Sequence, residues 1–357
     1  MLFSPLPVPK EMGGESVQRR EPCRFCDSTL GIEICPVHYW DIVESRIVTC
    51  RECGLAQFDR MPTDKEMSLG CQAYYHLDTA NAGAVSRSRN AMRNYRRGLA
   101  FGSRLRKAGI RPDRMLELGP GDCYFAAGMQ HAFPEMDVTV LDVVYEVLGQ
   151  ASMRHSFGTI HGSPESLGTI DAGRFDLIIA RDILEHVADI GSVLRGVYRA
   201  LNPGGYFHFL TPNGHEDMWG AYVRWKLHRQ PSEILLNHVN YFDPAGLLDH
   251  LNRLGFKTVN YYLDSIKDLR RGRGWKVSDQ TASSPTTGIK ARETIDKYSP
   301  AESVALEAKA VLDQWWLSPR AKQLAPLYCR LKNTTIIRLP GTMRIGHEIN
   351  GLMKKPT

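Results

Sequence analysis

Residues 115–123 read Met-Leu-Glu-Leu-Gly-Pro-Gly-Asp-Cys. Met115 to Leu118 is a short, mostly apolar run with the length of a buried strand. Gly119-Pro120-Gly121 forces a tight turn, and Asp122 stands where a helix N-cap would, ahead of Tyr124-Phe125-Ala126-Ala127. A strand feeding a glycine turn feeding a helix leaves bare backbone amides facing a cleft. A small ligand can approach that backbone because glycine carries no side chain to obstruct it.

A dinucleotide fingerprint would require a third glycine at position 124, which is Tyr. An acid does follow at the right distance. The β-prone run Val138 to Leu141 ends in Asp142, whose carboxylate could accept hydrogen bonds from both hydroxyls of a ribose. Asp142 therefore marks an adenosine-type ligand without choosing among them. Strand and helix patterns alternate over 114–211, as a doubly wound parallel sheet requires. Strands are expected near 114–118, 138–142, 158–161, 175–180 and 205–211, with a sixth at Lys257 to Leu263. Asp243-Pro244 opens a helix that runs to Leu254.

Four ordered motifs narrow the ligand. They are Leu116-Glu117-Leu118-Gly119-Pro120-Gly121, then Gly162-Ser163-Pro164-Glu165-Ser166-Leu167, then Phe175 through Val187, then Ala200-Leu201-Asn202-Pro203-Gly204-Gly205. In this order and spacing the chain resembles class I S-adenosylmethionine-dependent methyltransferases over about 110–262, with a last strand near 346–354. The resemblance implies a Rossmann-like α/β sheet, mostly parallel, with the last strand antiparallel. It implies S-adenosylmethionine as donor, held by Glu117, Gly119, Gly121, Asp142, Ser163, Pro164, Arg181 and Asp182. Ser163 stands where the family often has an acid beside adenine. The intact Gly119, Gly121 and Asp142 argue against a relative that keeps the fold but binds no donor.

Five of the eight cysteines lie in the first 53 residues. Cys23-Arg24-Phe25-Cys26 and Cys50-Arg51-Glu52-Cys53-Gly54 form two Cys-x-x-Cys knuckles, the donor set that tetrahedral zinc prefers. Cys35 and His38 are spare donors. Cys50-Arg51-Glu52-Cys53-Gly54-Leu55, followed by Gln57-Phe58 and Tyr74-Tyr75, resembles the zinc-binding module that precedes bacterial sugar and polysaccharide-pathway methyltransferases. That likeness favours a structural zinc. The expected organisation is a disordered N-terminus at 1–20, a zinc-ribbon module at 21–75, a basic helical linker at 80–112 and a methyltransferase domain at 113–357. The last contains a substrate cap at 214–237 and a helical insertion at 298–330, opened by the capping box Ser299-Pro300-Ala301-Glu302. Residues 270–292, rich in Arg, Gly, Ser and Thr, read as a loop.

Methyl transfer to a hydroxyl needs alignment and a base for the departing proton. His238, in Asn237-His238-Val239-Asn240-Tyr241-Phe242, is the leading candidate. The resembling families carry a Glu-His pair here, followed by Tyr-Phe, and sugar C-methyltransferases use that pair for proton abstraction. Asn237 replaces the Glu, so O-methylation of a sugar, glycan or other small polar acceptor is expected over C-methylation. Tyr241 is expected to orient His238 or substrate. His186 is a further catalytic candidate, although packing explains it as well as chemistry does. The stretch 80–112 holds nine basic residues and no acid. It reads either as a solvated helix face or as a phosphate-binding strip, which keeps an RNA methyltransferase as the alternative. The net charge of +6 is too mild to establish nucleic-acid binding. No apolar run reaches the roughly 18 residues of a membrane span, and no signal-peptide core precedes Arg20. The expected location is cytoplasmic, and a homodimer is compatible with the sequence.

Overall fold

The structure is a computed structural model. It describes residues 22–40, 43–81, 84–214, 218, 221–222, 225–226, 229–234, 237–264 and 348–357. The expected N-terminal tail, the loop at 270–292 and the insertion at 298–330 lie outside the described residues.

The larger sheet has seven strands: β4 (Arg114–Leu118), β5 (Asp137–Asp142), β6 (Gly158–His161), β7 (Phe175–Arg181), β8 (Leu201–Pro212), β11 (Lys257–Asp264) and β12 (Glu348–Lys354). Their order is β11-β12-β8-β7-β4-β5-β6. β8, β7, β4, β5 and β6 pair in parallel, whereas β12 runs antiparallel to β8 and β11. This is the Rossmann-like methyltransferase arrangement expected from the motifs. The strand expected at 205–211 begins earlier, at Leu201. Its pairing with β7 shifts register between Phe175 and Leu177, so the turn around Gly204 bulges out of the ladder rather than preceding it.

Alternation along the strands divides the core. Leu116, Leu118, Ile178 and Ala180 face α5 (Ile190–Ala200), where Val193, Leu194 and Val197 are fully buried. Met115, Leu177 and Ile179 face the other way, toward α3 (Tyr124–Ala132) and α4 (Tyr145–His155). Asp189 caps α5 by accepting the Ser192 amide at 2.9 Å. Asp243 likewise caps α6 (Pro244–Arg253), accepting the Gly246 amide at 2.8 Å.

A smaller sheet has the order β10-β3-β2-β1-β9. β1 (Leu30–Tyr39), β2 (Val43–Cys50) and β3 (Ala56–Phe58) come from the N-terminal region. β9 (Ser232–Ile234) and β10 (Asn240–Tyr241) come from the segment after β8. The front of the chain therefore completes its sheet with strands from the other end of the fold. Met218, Ala221 and Ile234 are buried with Val37, Tyr39 and Trp40, and Tyr222 and Trp225 pack against that cluster. Trp219 lies outside the described residues.

Between β3 and β4 in the chain come α1 (Asp64–Asn81) and α2 (Ala84–Lys107). Thr63 and Glu66 form a capping box for α1: the Thr63 amide donates to Glu66 at 2.7 Å and the Glu66 amide to Thr63 Oγ1 at 3.3 Å. α2 lies against α3 at glycine contacts. A Cβ on Gly98 would fall 2.0 Å from the Phe125 carbonyl oxygen, and one on Gly128 would fall 2.1 Å from that of Tyr95. Only glycine allows this approach. Among the described residues no helix is long and apolar enough to cross a membrane. Gly128→Val should force the two helices apart and cost about 1–3 kcal/mol of stability in urea denaturation, the usual range for overpacking. An unchanged midpoint would contradict the close contact.

Candidate active site

A cavity of about 1410 Å³ opens at the carboxyl ends of β4, β5 and β7, where open α/β sheets bind ligands. It brings together Glu117, Gly119, Gly121, Asp142, Ser163, Pro164, Arg181, Asp182 and His186 from the sequence-derived set. The turn after β4 is built for close approach. Gly119 has φ +56°, and a Cβ there would strike the Ile183 side chain at 2.0 Å. Its amide donates to the Leu141 carbonyl at 2.8 Å, tying the turn to β5. The helix cap differs from expectation. Cys123, in the left-handed region at φ 60°, occupies the N-cap position of α3. Asp122 precedes it, accepting the Tyr124 amide at 3.2 Å and the Asn94 side-chain amide at 2.9 Å. The loop is thereby tied to α2.

Two carboxylates in the cavity are perturbed by desolvation. Burial pushes Glu117 up to about 8 against the opposing pull of Arg181. Its Oε2 is buried without a hydrogen-bond partner among the described residues. Leaving such an oxygen unmatched costs about 1–3 kcal/mol or more, so the position suits a cationic ligand group. Burial likewise raises Asp142 to about 6, although backbone amides at Val144 and Val143 favour its ionised form. The Val144 bond is 2.8 Å and uses one carboxylate oxygen. Ser163 precedes the 3-10 turn Pro164–Thr169, which its carbonyl stabilises by accepting the Ser166 hydroxyl at 2.7 Å. Arg181 holds its guanidinium 4.2 Å from the Phe125 ring centre. Asp182 sits at φ 55° with its amide on the Leu210 carbonyl at 2.8 Å.

Beside Asp182 the loop after β7 meets the segment before α6. The Val239 and Asn240 amides both donate to the Glu185 carbonyl, at 2.8 and 3.1 Å. The Asn240 side chain donates to the Val187 and Leu184 carbonyls, at 2.6 and 3.2 Å. This brings the His238 ring to 4.9 Å from the His186 ring, centre to centre. Glu185 is buried beneath them, its Oε2 accepting the Thr211 hydroxyl at 2.8 Å and its Oε1 having no hydrogen-bond partner among the described residues. Burial raises the Glu185 carboxyl above its ordinary range, and nearby His238 opposes that shift. Glu185, His186 and His238 each offer a ligand atom, all within 4.8 Å of one another. Asn237, in the left-handed region at φ 59°, accepts the Trp40 indole N–H and lines the cavity. Neither His238 nor Tyr241 is among the lining residues, although His186 beside His238 is; the Tyr241 hydroxyl donates to the His238 carbonyl at 2.9 Å.

Cys23, Cys26, Cys50 and Cys53 converge away from the cavity, with their sulfurs within 4.8 Å of one another. The Cys23–Cys53 and Cys26–Cys50 separations are each 3.6 Å. A tetrahedral zinc–thiolate site with bonds of ~2.3 Å has sulfur–sulfur edges of about 3.8 Å, so these cysteines fit zinc. The Cys53 thiol hydrogen bond lowers Cys23 to about 6 and favours its thiolate. Cys35 is buried in the small-sheet core and His38 lies 3.8 Å from Glu44, so neither belongs to this cluster. The ribbon seats on the larger domain: Phe25 stacks on His250 at 3.9 Å, and Arg24 donates to the Ala188 carbonyl at 3.3 Å.

Two functional-site features were not singled out from sequence. Glu185 lies next to His186 in the chain, but its proximity to His238 depends on the distant 237–241 segment. Arg93 and Arg97 line the cavity, whereas their basic stretch reads first as a solvated helix face; Arg93 is exposed as that reading expects, and Arg97 is half-buried.

A sequence profile of the methyltransferase domain matches residues 89–261. The ubiquinone biosynthesis O-methyltransferase of Aromatoleum aromaticum is 32% identical over 165 residues, covering 43% of this chain and 68% of that protein. The enzyme of that name from Yersinia pestis is 30% identical over 120 residues, 32% of this chain and 48% of the relative, so the chain spans about half the length of the latter. A solved SAM-dependent methyltransferase from Archaeoglobus fulgidus is 15% identical with a TM-score of 0.40, covering 72% of this chain and 94% of that one. The chain belongs to the methyltransferase-domain family and is an S-adenosylmethionine-dependent methyltransferase. If Asp142 holds the donor ribose as a carboxylate, donor affinity should be flat above pH 7 and fall as pH drops through about 6. Asp142→Ala should abolish donor binding in calorimetry, and unchanged affinity would remove Asp142 from the site.

Proposed function

We propose that the chain methylates a hydroxyl of a sugar, glycan or related small polar acceptor, with His238 as general base. The observation that carries this is the approach of His238 to Glu185 and His186 beside the donor cavity. Glu117, with its open buried oxygen, would take the donor's ammonium group, and Asp142 its ribose hydroxyls. Gly119 and Gly121 leave the backbone accessible to the donor, while Ser163 and Pro164 border the adenine side. The bound sulfonium supplies an activated methyl group. His238 accepts the hydroxyl proton as the acceptor oxygen forms its bond to that methyl and the methyl–sulfur bond breaks. Glu185 stabilises the resulting imidazolium, and Tyr241 fixes the His238 backbone.

Asn237 stands where the sugar C-methyltransferases carry the Glu of their Glu-His pair, and its side chain is committed to Trp40; the carboxylate beside His238 is Glu185 instead, so the relatives' named activity is what favours oxygen over carbon. The named activity of the Aromatoleum and Yersinia relatives is O-methylation. A second reading rests on the mutual 4.8 Å spacing of Glu185, His186 and His238. Those residues would hold a divalent cation that acidifies the acceptor hydroxyl. Zinc on the four cysteines would be a structural staple, since none of them lines the cavity.

Labelled-donor transfer to a panel of glycosides tests the base. His238→Ala should slow turnover about 10²–10⁴-fold, the ordinary contribution of a general base, with donor affinity nearly intact. A normal rate would demote it to a structural residue. Loss of activity in EDTA, restored by magnesium or manganese but not by zinc, would favour the cation reading instead. Metal analysis of the purified protein should give one zinc per chain, lost in a Cys26→Ser, Cys53→Ser variant. A folded, metal-free wild type would overturn the zinc assignment.

A further inference from the structure

We propose that Arg24 and Glu165 are positioning residues for methyl transfer: gripping the backbone at Ala188 from opposite sides, they set the loop that carries Glu185 and His186 beside the donor cavity. The proposal deepens the reading above and rests on it for the part those two residues and His238 play. Residue 188 lies between the end of β7 at Arg181 and the start of α5 at Ile190, outside both elements. Side chains from two other segments take its polar groups. The Ala188 and Asp189 amides donate to Glu165 Oε1 at 2.8 and 3.4 Å. The Ala188 carbonyl accepts from the Arg24 guanidinium at 3.3 Å. A carboxylate at the N–H side and a guanidinium at the carbonyl side are charge-assisted partners, which hold more strongly than neutral ones.

Both grips are themselves anchored. Glu165 belongs to the 3-10 turn Pro164–Thr169, whose Leu167 is fully buried, and it follows Ser163 and Pro164 along the cavity wall. Arg24 stands between Cys23 and Cys26 in the first knuckle. Its amide donates to Gln57 Oε1 at 3.0 Å, and its carbonyl accepts the Gly191 amide at 3.3 Å. Gln57 is fully buried and pairs, in β3, with Asn240 of β10. The Asn240 side chain holds the Leu184 and Val187 carbonyls. The contacts therefore close a ring that runs from the knuckle through β3 and β10 to the loop after β7, and back to Arg24.

The ring matters because of what the loop carries. Residues 239 and 240 hold the carbonyls of Leu184, Glu185 and Val187. Bonds from that one segment would let the loop pivot about it. Arg24 and Glu165 add attachments from the knuckle and from the 3-10 turn, and three separate attachments fix direction as well as place. Glu185 and His186 precede Ala188 by three and two residues, so their direction follows from that of the loop. His186, Ala188 and Glu165 all line the cavity. Alignment is what the chemistry demands of the protein, since the donor methyl arrives already activated. Zinc on the four cysteines would hold the knuckle that presents Arg24, and the ribbon would thereby act on the site without lining it.

Amide hydrogen exchange and histidine-ring NMR on the purified protein test the clamp. Glu165→Leu and Arg24→Met each remove one grip, whereas Glu165→Gln keeps an oxygen that can accept the Ala188 amide. In the two truncated variants the Val239 and Asn240 amides, which donate to the Glu185 carbonyl, should exchange about tenfold faster or more, with the amides of β4 and β5 unchanged. The ring-nitrogen titrations of His186 and His238 should move by about half a pH unit or more, because their distances to the Glu185 carboxylate change. Glu165→Gln should restore both readouts, a rescue that a role for charge alone does not allow. Arg24→Met should keep its zinc and bind S-adenosylhomocysteine within about threefold of the wild-type affinity. Should one truncated variant fail to fold, the other decides. Unchanged exchange and titrations would overturn the proposal. So would equal acceleration in β4 and β5, which would make the pair a general stabiliser, or failure of Glu165→Gln to rescue. Loss of S-adenosylhomocysteine affinity in Glu165→Gln with unaltered exchange would reassign Glu165 to donor binding and overturn it as well. These readouts need no acceptor. Normal turnover by His238→Ala would remove the base and leave the exchange result standing, so the two failures are distinguishable.

Discussion

The Glu185 carbonyl is the point on which the molecule turns. By accepting the Val239 and Asn240 amides, it fixes an extended segment beneath the loop after β7. Asn240 reinforces the attachment through two further carbonyls and, in β10, pairs with Gln57 of the small sheet. One short segment therefore joins the methyltransferase sheet to the N-terminal sheet and brings His238 over Glu185. Each bond alone would contribute little net stability. Their value lies in register, because a shift of one residue would turn His238 away and break the pairing with β3.

A small sheet needs support of its own. The four cysteines occupy one end of it, and their spacing suits a metal that would hold two knuckles together where hydrophobic burial is limited. The other end is packed by Tyr39, Trp40, Met218 and Ile234. The Trp40–Asn237 bond links that packing to the cavity wall. The N-terminal region is therefore part of the scaffold that positions the proposed base, even though its cysteines are remote from the cavity. On the other side, α2 comes close enough to α3 for its arginines to form part of the wall, and glycine makes that approach sterically feasible.

Much of the donor region was legible in the sequence because its determinants are local. A strand, a glycine turn and a following helix lie within a few residues, and Asp142 ends the next strand. The alternating strand and helix patterns also located β6, the Asp243-Pro244 opening located α6, and the resemblance to class I methyltransferases implied the closing strand β12. The Asp122 cap was misread by one residue because Cys123 adopts a left-handed conformation that sequence pattern does not disclose. The start of β8 was missed because a bulge carries the strand through Gly204, where glycine normally signals interruption. Glu185 reads from sequence as a capping or packing residue beside His186, because residues 185 and 238 become neighbours only through long-range hydrogen bonds.

The sequence by itself determined the α/β class, the glycine turn, the cysteine knuckles and the acids and histidines available for chemistry. Those features follow from local backbone preferences, hydrophobic alternation and side-chain type. Tertiary structure alone decided that the front of the chain would share a sheet with Ser232–Ile234 and Asn240–Tyr241, that His238 would face Glu185 rather than a carboxylate at 237, and that Arg97 would be half-buried at a cavity wall. The physical reason is that proximity and desolvation arise from packing between distant segments. Composition and spacing along the chain cannot specify them.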